Sequence, residues 1–273
     1  MAKAKFVSLL SGKGGVGKSV LAFNLADQMA SLGYRVLLVD ADFSLGSLHV
    51  LANVAVQRGL NEYVTDALTL AECITAIRGV DILAATWNHK LAESRSIEHT
   101  ARFIERLRRD SMAYDYVVFD HGSGRSNQAV LMAHGSDLNL LVLVPELTSL
   151  ADGYGLFKQI ITANRAVACA LLVNRSHGEE EAEFIRTRMN EMTRQFLNIV
   201  PGYVGFVHED GAVRHAVALQ QTLTLAAPES PACRQIGRIA QAVTAFDLKH
   251  LSASEEALLT QINKTSATAD IRG

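Results

Sequence analysis

The sequence predicts a three-layer α/β domain in which a mostly parallel central sheet carries helices on both faces. Short and almost wholly apolar runs alternate along the chain with helical patterns, and such runs are typical of parallel strands buried on both faces. The chain has 273 residues, of which 49% are hydrophobic and 20% charged, so it can bury one full core. We therefore expect a single domain over residues 1–246 and a tail over residues 247–273 that forms a short helix and then frays.

The individual elements follow from apolar spacing and from residues that begin or end helices. Strands are predicted at residues 6–10, 35–40, 80–84, 116–120, 138–144, 168–173 and 204–207. Helices are predicted at residues 19–32, 96–110, 126–134, 149–163, 178–196 and 230–246. Gly33 ends the first helix, whereas Ser230 and Pro231 begin the last one as an N-cap and a first-turn proline. The spacing of Val213, Ala216 and Val217 predicts one more helix face that packs on the core.

The segment after the first predicted strand carries the strongest chemical signal. Residues 11–19 read S-G-K-G-G-V-G-K-S and contain the pattern G-x-x-x-x-G-K-[ST] between a strand and a helix, which is the context of a phosphate-binding loop in a P-loop NTPase fold. Its glycines let backbone N–H groups approach phosphate oxygens. Lys18 would reach the β- and γ-phosphates, and the Ser19 hydroxyl would ligate Mg²⁺. The predicted nucleotide-binding residues of this segment are Gly12, Gly14, Gly15, Val16, Gly17, Lys18, Ser19 and Val20.

Aspartates end two of the predicted strands. Asp40 ends the second strand and Asp120 the fourth, and ligands bind beyond the carboxyl ends of the strands in open parallel sheets. Asp120 fits a Walker B acid that would hold Mg²⁺ directly or through a water, although an aspartate that only caps the following loop is the alternative. Asp42 lies two residues after Asp40, and two carboxylates at this spacing need not share a task.

A second lysine inside the loop narrows the class of nucleotide-binding protein to which the chain can belong. The stretch K-G-G-V-G-K-S, which begins at Lys13, resembles the deviant Walker A motif of the MinD/ParA family. This resemblance covers roughly residues 5–246. It implies an ATPase with a low basal rate that binds ATP and Mg²⁺ and forms a homodimer in the ATP state.

The resemblance also implies roles for individual side chains. Lys13 would contact phosphate across the dimer interface and act in catalysis together with Lys18, Asp42 and Asp120. Asp42 would lie in switch I and position the attacking water, while Asp40 would join Asp120 and Ser19 around the metal.

The turn after the predicted strand at 168–173 is a further candidate. Asn174 and Arg175 occupy the position where members of this family recognise adenine with an asparagine amide. The resemblance therefore implies that these two residues belong to the nucleotide-binding site.

Segments outside the nucleotide motifs are similar to flagellar-number regulators of the FlhG/FleN type. Residues 145–154 read P-E-L-T-S-L-A-D-G-Y and residues 209–217 read E-D-G-A-V-R-H-A-V, and both resemble segments of that group. The likeness implies a switch that regulates the placement or number of flagella, or another polar machine. Its partner would be a flagellar GTPase, a flagellar switch component or a transcription regulator.

Both switch regions depart from that group's pattern. Ser47 stands where asparagine is usual, His49 where aspartate is usual and His121 where threonine is usual. We expect His121 to be a partly exposed loop histidine; the alternative is an unpaired His121 beside Asp120 that has a raised pKa and responds to pH. The altered switches leave open a hydrolysis-deficient nucleotide-binding scaffold.

The charge balance argues against DNA as a partner. The formal net charge is −2, and the one dense basic cluster is interrupted by acidic residues, so a solvated helix face is expected. A ParA-like segregation ATPase for DNA or other cargo is the alternative function. The cluster consists of Arg102, Arg106, Arg108 and Arg109.

Cysteine usage and hydropathy indicate a cytoplasmic protein. Cys73, Cys169 and Cys233 lie far apart, which predicts three core residues rather than a disulfide framework or metal site. No apolar run is long enough to span a bilayer, and the first strand leaves no room for a signal peptide. Recruitment to the cell pole or to the inner membrane face is left open. Glu255 and Glu256 lie beside the apolar stripe of the tail and have the wrong charge for anionic lipid, so we expect the tail to pack on the protein or fray, with membrane attachment as the alternative.

Overall fold

The computed structural model describes residues 3–42, 46–85 and 97–245, which fold around one eight-stranded sheet. The strands are β1 (Lys5–Leu10), β2 (Val36–Ala41), β3 (Thr75–Ile77), β4 (Val80–Leu83), β5 (Tyr116–His121), β6 (Leu138–Leu143), β7 (Cys169–Ser176) and β8 (Gly202–His208). Their order across the sheet is β3-β4-β2-β5-β1-β6-β7-β8. Every neighbouring pair is parallel except β3 with β4, so the predicted fold class is confirmed.

The helices cover both faces of the sheet. They are α1 (Lys18–Ser31), α2 (Leu48–Leu51), α3 (Leu60–Val64), α4 (Leu70–Cys73), α5 (Ile97–Asp110), α6 (Asn127–His134), α7 (Leu147–Ala163), α8 (Glu179–Leu197), α9 (Gly211–Ala218), α10 (Leu223–Ala226) and α11 (Pro231–Ala245). The sequence did not predict β3, α2, α3, α4 or α10, each of which has five residues or fewer. Elements this short contain too few residues to display a periodic apolar pattern.

Successive residues of the central strands face opposite layers. In β6, Leu140 and Val142 join the core that includes α1 and α11, whereas Leu141 and Leu143 join the core that includes α7 and α8. Both faces of the strand are therefore buried, which explains why the sequence of this strand is nearly continuously apolar.

The surface helix α9 follows its prediction only in part. Ala216 is buried and Val213 packs against the core, but Val217 is 37% exposed. The prediction that Val217 faces the core is wrong, because the residue after Ala216 is turned by about 100° around the helix.

The cysteine prediction is confirmed as far as it concerns burial. Cys73, Cys169 and Cys233 are all buried and free. In the part of the chain that the structure describes, no helix is both long enough and apolar enough to cross a membrane. The tail, with Glu255 and Glu256, lies outside the described residues.

Candidate nucleotide-binding site

The predicted phosphate-binding loop connects β1 to α1 at the carboxyl edge of the sheet. Gly15 and Gly17 adopt left-handed backbone angles, with φ of 78° and 85°, which glycine adopts without the steric cost of a side chain. Gly12 is required for a different reason, because a β-carbon there would lie 2.2 Å from the main-chain oxygen of Asp152. The loop therefore passes directly against the backbone of α7.

Lys18 and Ser19 converge on the carboxyl group of Asp120. The Lys18 ammonium donates to Asp120 Oδ1 at 3.1 Å and to the main-chain oxygen of His121, and the Ser19 hydroxyl also hydrogen-bonds Asp120. Lys18 is 8% exposed and Asp120 only 1%. The Lys18 ammonium was predicted to face phosphate and the Ser19 hydroxyl to face the metal. Both groups thus lie at the end of β5, beside the predicted Walker B acid Asp120.

A second buried carboxyl group lies next to Asp120. Asp40 on β2 is in register with Asp120 on β5 and is fully buried. Burial and the neighbouring Asp120 charge raise the pKa of Asp40 to about 7, against the opposing effect of the Leu48 and Asp42 amides that donate to it. Burial also raises the pKa of Asp120, although the nearby Lys18 charge opposes this shift.

These oxygen atoms fit a magnesium ion. Mg²⁺ is bound in proteins through one or two carboxylates, often alongside hydroxyl, phosphate and water oxygens, and a cation would neutralise two buried carboxyl groups in adjacent strands. Among the described residues, no group of three or more His, Cys, Asp or Glu could hold a metal ion. The two carboxyl groups of Asp40 and Asp120 and the Ser19 hydroxyl are too few to enclose the metal alone. Phosphate and water oxygens would therefore complete its coordination.

Asp42 lies at the edge of this pair, where the loop after β2 meets the loop after β5. A β-carbon at Gly122, the first residue after β5, would lie 3.4 Å from the Asp42 carboxyl group. The Asp42 charge also contributes to the raised pKa of Asp120. Residues 43–45, which follow Asp42 in the sequence, lie outside the described part of the chain.

Lys13 makes its side-chain hydrogen bonds outside this cluster. Its ammonium donates to Glu146 Oε2 and to Thr148 Oγ1, the latter at 3.0 Å. Both acceptors belong to the segment that begins α7, and reasoning from the sequence assigned them no role at the site. The signal that could have found them is the P-E-L-T-S stretch at residues 145–149.

The predicted adenine-recognition residues also lie close to the loop. The Asn174 amide donates to the Val16 main-chain oxygen at 2.7 Å, and a β-carbon at Gly17 would lie 2.6 Å from the same amide nitrogen. Arg175 has a left-handed φ of 58° and donates to Glu209 at 2.6 Å. Asn174 thus supports the loop backbone, and its contact with adenine stays a prediction.

His121 is neither a partly exposed loop residue nor a histidine with a raised pKa, so both of these expectations are wrong. His121 is the last residue of β5, is 3% exposed, and lies with Nε2 2.8 Å from the hydroxyl of Ser8. Its ring stacks on Phe119 with centroids 5.8 Å apart. Burial, assisted by the Lys18 charge, lowers the pKa of His121 to about 3. The side chain is therefore neutral near pH 7. The predicted loop position was wrong because β5 extends one residue farther than the predicted strand, which ended at Asp120.

Two arginines of the basic cluster on α5 form ion pairs within the fold. Arg106 and Arg108 are only 19% and 20% exposed, so the expected solvated face is wrong for these two residues. Arg106 pairs with Asp66 and Asp110 and lies over the Tyr63 ring, while Arg108 pairs with Asp137. These side chains are engaged within the protein, which gives no support to a DNA-binding surface.

The loop, the buried lysine and the carboxyl groups at the strand ends define a P-loop nucleotide-binding domain. A family model described as an AAA domain matches residues 4–169. The antiactivator FleN of Pseudomonas aeruginosa is 30% identical over 91% of this chain and 89% of its own length. The flagellum site-determining protein YlxH of Helicobacter pylori is 25% identical over 86% of this chain and 80% of its own.

Solved structures share the fold. The septum site-determining protein MinD of Pyrococcus horikoshii, complexed with Mg-ADP, superposes with a TM-score of 0.75 at 22% identity, over 89% of this chain and 96% of its own. The chain belongs to the MinD/ParA family of P-loop ATPases.

Proposed function

We propose that the chain is an ATP-dependent molecular switch that hydrolyses ATP slowly and dimerises in the ATP state. The observation that carries the proposal is the convergence of Lys18 and Ser19 on Asp120, with Asp40 in register beside it and Asp42 at the edge. ATP and Mg²⁺ are the proposed cofactors. The Mg-ADP bound to the MinD structure of similar fold supports this choice.

The chain's own residues would position the phosphates and neutralise their charge. Bound Mg²⁺ would supply positive charge at the β- and γ-phosphates. The Ser19 hydroxyl and the Asp40 and Asp120 carboxyl groups would hold it. The Lys18 ammonium would exchange its present acceptors, Asp120 and the His121 carbonyl, for phosphate oxygens.

Two further residues would complete hydrolysis. Asp42 would accept a hydrogen bond from the attacking water and orient it toward the γ-phosphate. Lys13 of a second subunit would add positive charge to the same phosphates. Phosphoryl transfer consists largely of positioning and charge neutralisation, so this small set of groups is sufficient.

The proposed output is the placement or number of flagella, or of another polar machine. The names of the two relatives, an antiactivator and a flagellum site-determining protein, support it. A transcription regulator, a flagellar GTPase or a flagellar switch component would be the partner. We propose that the protein acts in the cytoplasm and is recruited to the cell pole or the inner membrane face.

The test is light scattering after size exclusion of wild type, Lys13→Ala and Asp42→Ala. Each is measured with Mg-ATP, with Mg-ADP and without nucleotide, and phosphate release is followed in parallel. We expect a dimer only with Mg-ATP, its loss in Lys13→Ala, and a persistent dimer without hydrolysis in Asp42→Ala.

Other outcomes would favour the alternatives. One oligomeric state under every condition, with no hydrolysis, would replace the switch by a nucleotide-binding scaffold. Binding of the ATP dimer to duplex DNA that weakens steeply with salt would favour the ParA-like segregation function.

A further inference from the structure

The short helix α2 is held at both of its ends by side chains from other elements. At its beginning, the Leu48 amide donates to Asp40 Oδ2 at 3.2 Å. At its end, the Val50 carbonyl accepts a hydrogen bond from the side-chain amide of Gln220 at 2.7 Å. A helix of four residues has too few internal hydrogen bonds to be stable alone, so its position depends on such contacts with other elements.

The carboxyl group of Asp40 holds more than the start of α2. Its other oxygen, Oδ1, accepts a hydrogen bond from the Asp42 amide at 3.3 Å, and a β-carbon at Gly46 would lie 2.8 Å from Oδ2. Asp42 and Gly46 precede and follow residues 43–45, and both lie against this one carboxyl group. A shift of α2 would withdraw the Leu48 amide from Asp40 and leave the orientation of that carboxyl group less restricted.

Gln220 has a backbone conformation that glycine adopts more easily. It follows α9 with a φ of 54°, and its amide donates to the Val217 carbonyl while the Gln221 amide donates to the Ala216 carbonyl. Glycine or asparagine is usual at the left-handed position of such a helix end. Glutamine there has a steric cost that glycine would avoid, but it supplies an amide that reaches Val50 on α2.

The turn that follows Gln220 is fixed to α1. The Leu223 amide donates to Asn24 Oδ1 at 2.7 Å, and the Thr224 hydroxyl donates to the Asp27 carboxyl group. Asn24 and Asp27 are only 3% and 5% exposed. Since α1 is the helix that follows the phosphate-binding loop, Gln220 holds α2 at a set position relative to that loop.

We infer that Gln220 is a positioning residue of the magnesium site, which acts through α2 to keep the Leu48 amide on Asp40 and so fixes the orientation of the Asp40 carboxyl group. The inference rests on the proposed function, because the metal is the Mg²⁺ that accompanies the proposed nucleotide. A ligand that is already fixed loses less conformational freedom when the metal binds. Loss of the Gln220 amide therefore weakens the binding of Mg²⁺ and leaves the contacts to the phosphates intact.

The test compares Gln220→Ala and Gln220→Gly with wild type. Both changes remove the side-chain amide, but glycine also removes the steric cost of the left-handed backbone, so Gln220→Gly should be the more stable of the two in urea. Gln221→Ala is the matched control. Gln221 is the adjacent, half-buried glutamine, and no side-chain hydrogen bond joins it to the part of the chain that the structure describes.

Two measured quantities should change in both variants at position 220 and in neither wild type nor Gln221→Ala. The affinity for ADP is measured by calorimetry with Mg²⁺ and with EDTA, and the ratio of the two affinities should fall by about twofold to tenfold, as expected for one hydrogen bond. The affinity in EDTA should stay the same. Hydrogen exchange of the Leu48 amide in the nucleotide-free protein, followed by NMR, should accelerate by a similar factor.

The outcomes separate this inference from the proposed function. A wild-type protein that does not bind ADP, or binds it equally with Mg²⁺ and with EDTA, contradicts the proposed function, while the exchange of the Leu48 amide still tests the inference. An unchanged exchange rate in both variants at position 220 overturns the inference, as does an unchanged affinity ratio in a wild type that responds to Mg²⁺. Effects confined to Gln220→Ala, or shared by Gln221→Ala, overturn it too, because they would follow the stability of the fold and not the Gln220 amide.

Discussion

Gly12 in the phosphate-binding loop and Asp152 in α7 are in backbone contact, with space for a hydrogen but not for a methyl group between them. A β-carbon at Gly12 would lie 2.2 Å from the Asp152 oxygen and 2.3 Å from its carbonyl carbon. Both atoms belong to the backbone, not to the end of a flexible side chain. Relief of such a clash therefore requires that the loop or the helix shifts. At Gly15 in the same loop, a β-carbon would have no atom within 4 Å.

We expect Gly12→Ala and Gly15→Ala to differ sharply. Gly15→Ala should lower the free energy of unfolding by about 1 to 2 kcal/mol, the cost of a left-handed residue with a β-carbon. Gly12→Ala should cost more, about 3 kcal/mol, as typical overpacking does, and should abolish ATP binding. Urea unfolding and calorimetry with Mg-ATP provide the check, and equal effects of the two changes would contradict the proposed contact.

The buried Lys18–Asp120 pair should be coupled in stability when nucleotide and Mg²⁺ are absent. Removing one member leaves the other buried without its partner, so Lys18→Met should lower the free energy of unfolding by about 3 kcal/mol. The double variant Lys18→Met/Asp120→Asn should recover about 2 kcal/mol of that loss.

The control for this pair is Arg102→Met, which removes an exposed partner of Glu98 and should cost under about 1 kcal/mol. Urea unfolding of the four variants and wild type in EDTA gives the coupling energy. Strict additivity of Lys18→Met and Asp120→Asn would mean that the two side chains do not stabilise each other.

The buried His121 predicts an acid-sensitive stability. Its pKa is about 3 in the folded protein and about 6.5 in the unfolded chain, so the unfolded chain binds a proton that the native state does not. Stability should therefore fall as the pH drops below about 6.5, by up to about 1.4 kcal/mol per pH unit.

Glutamine is the matched replacement at this position, since its amide can bond to Ser8 as the imidazole does without titrating. The slope of unfolding free energy between pH 5 and 6 should be smaller in His121→Gln than in wild type. Identical slopes would show that the histidine gains a proton in the folded state too.

Asn174 is expected to affect nucleotide affinity through the loop. Loss of its hydrogen bond to Val16 in Asn174→Ala should weaken Mg-ATP binding by roughly fivefold to tenfold. If the side chain also contacts adenine, the ratio of ATP to GTP affinity should fall as well. Calorimetry with both nucleotides checks this, with Gln159→Ala, an exposed amide on α7, as the control that should leave both affinities unchanged.

The sequence predicted the sheet and its covering helices because buried parallel strands leave nearly continuous apolar runs. It also predicted the loop, since glycine and lysine spacing there reflects local backbone requirements. Contacts between distant segments left no local trace. The predicted exposure of His121 was wrong for this reason. Its hydroxyl partner Ser8 lies on another strand, distant in the sequence.

The acceptors of Lys13 illustrate the same limit. Glu146 and Thr148 formed part of a recognisable segment, yet nothing in their spacing relates them to a lysine at position 13. Their contact with Lys13 depends on the strand order, which places β6 directly beside β1.

The phosphate-binding loop is held from three sides by residues that are synthesised long after it. Ser11 accepts a hydrogen bond from the Gly124 amide at 3.0 Å, Gly12 abuts Asp152, and Val16 accepts from Asn174. A nascent chain on the ribosome therefore carries the complete motif early but lacks what fixes its shape until β7 has emerged. Competence to bind nucleotide should then arise late in translation, and a chain truncated before β7 should bind nucleotide poorly.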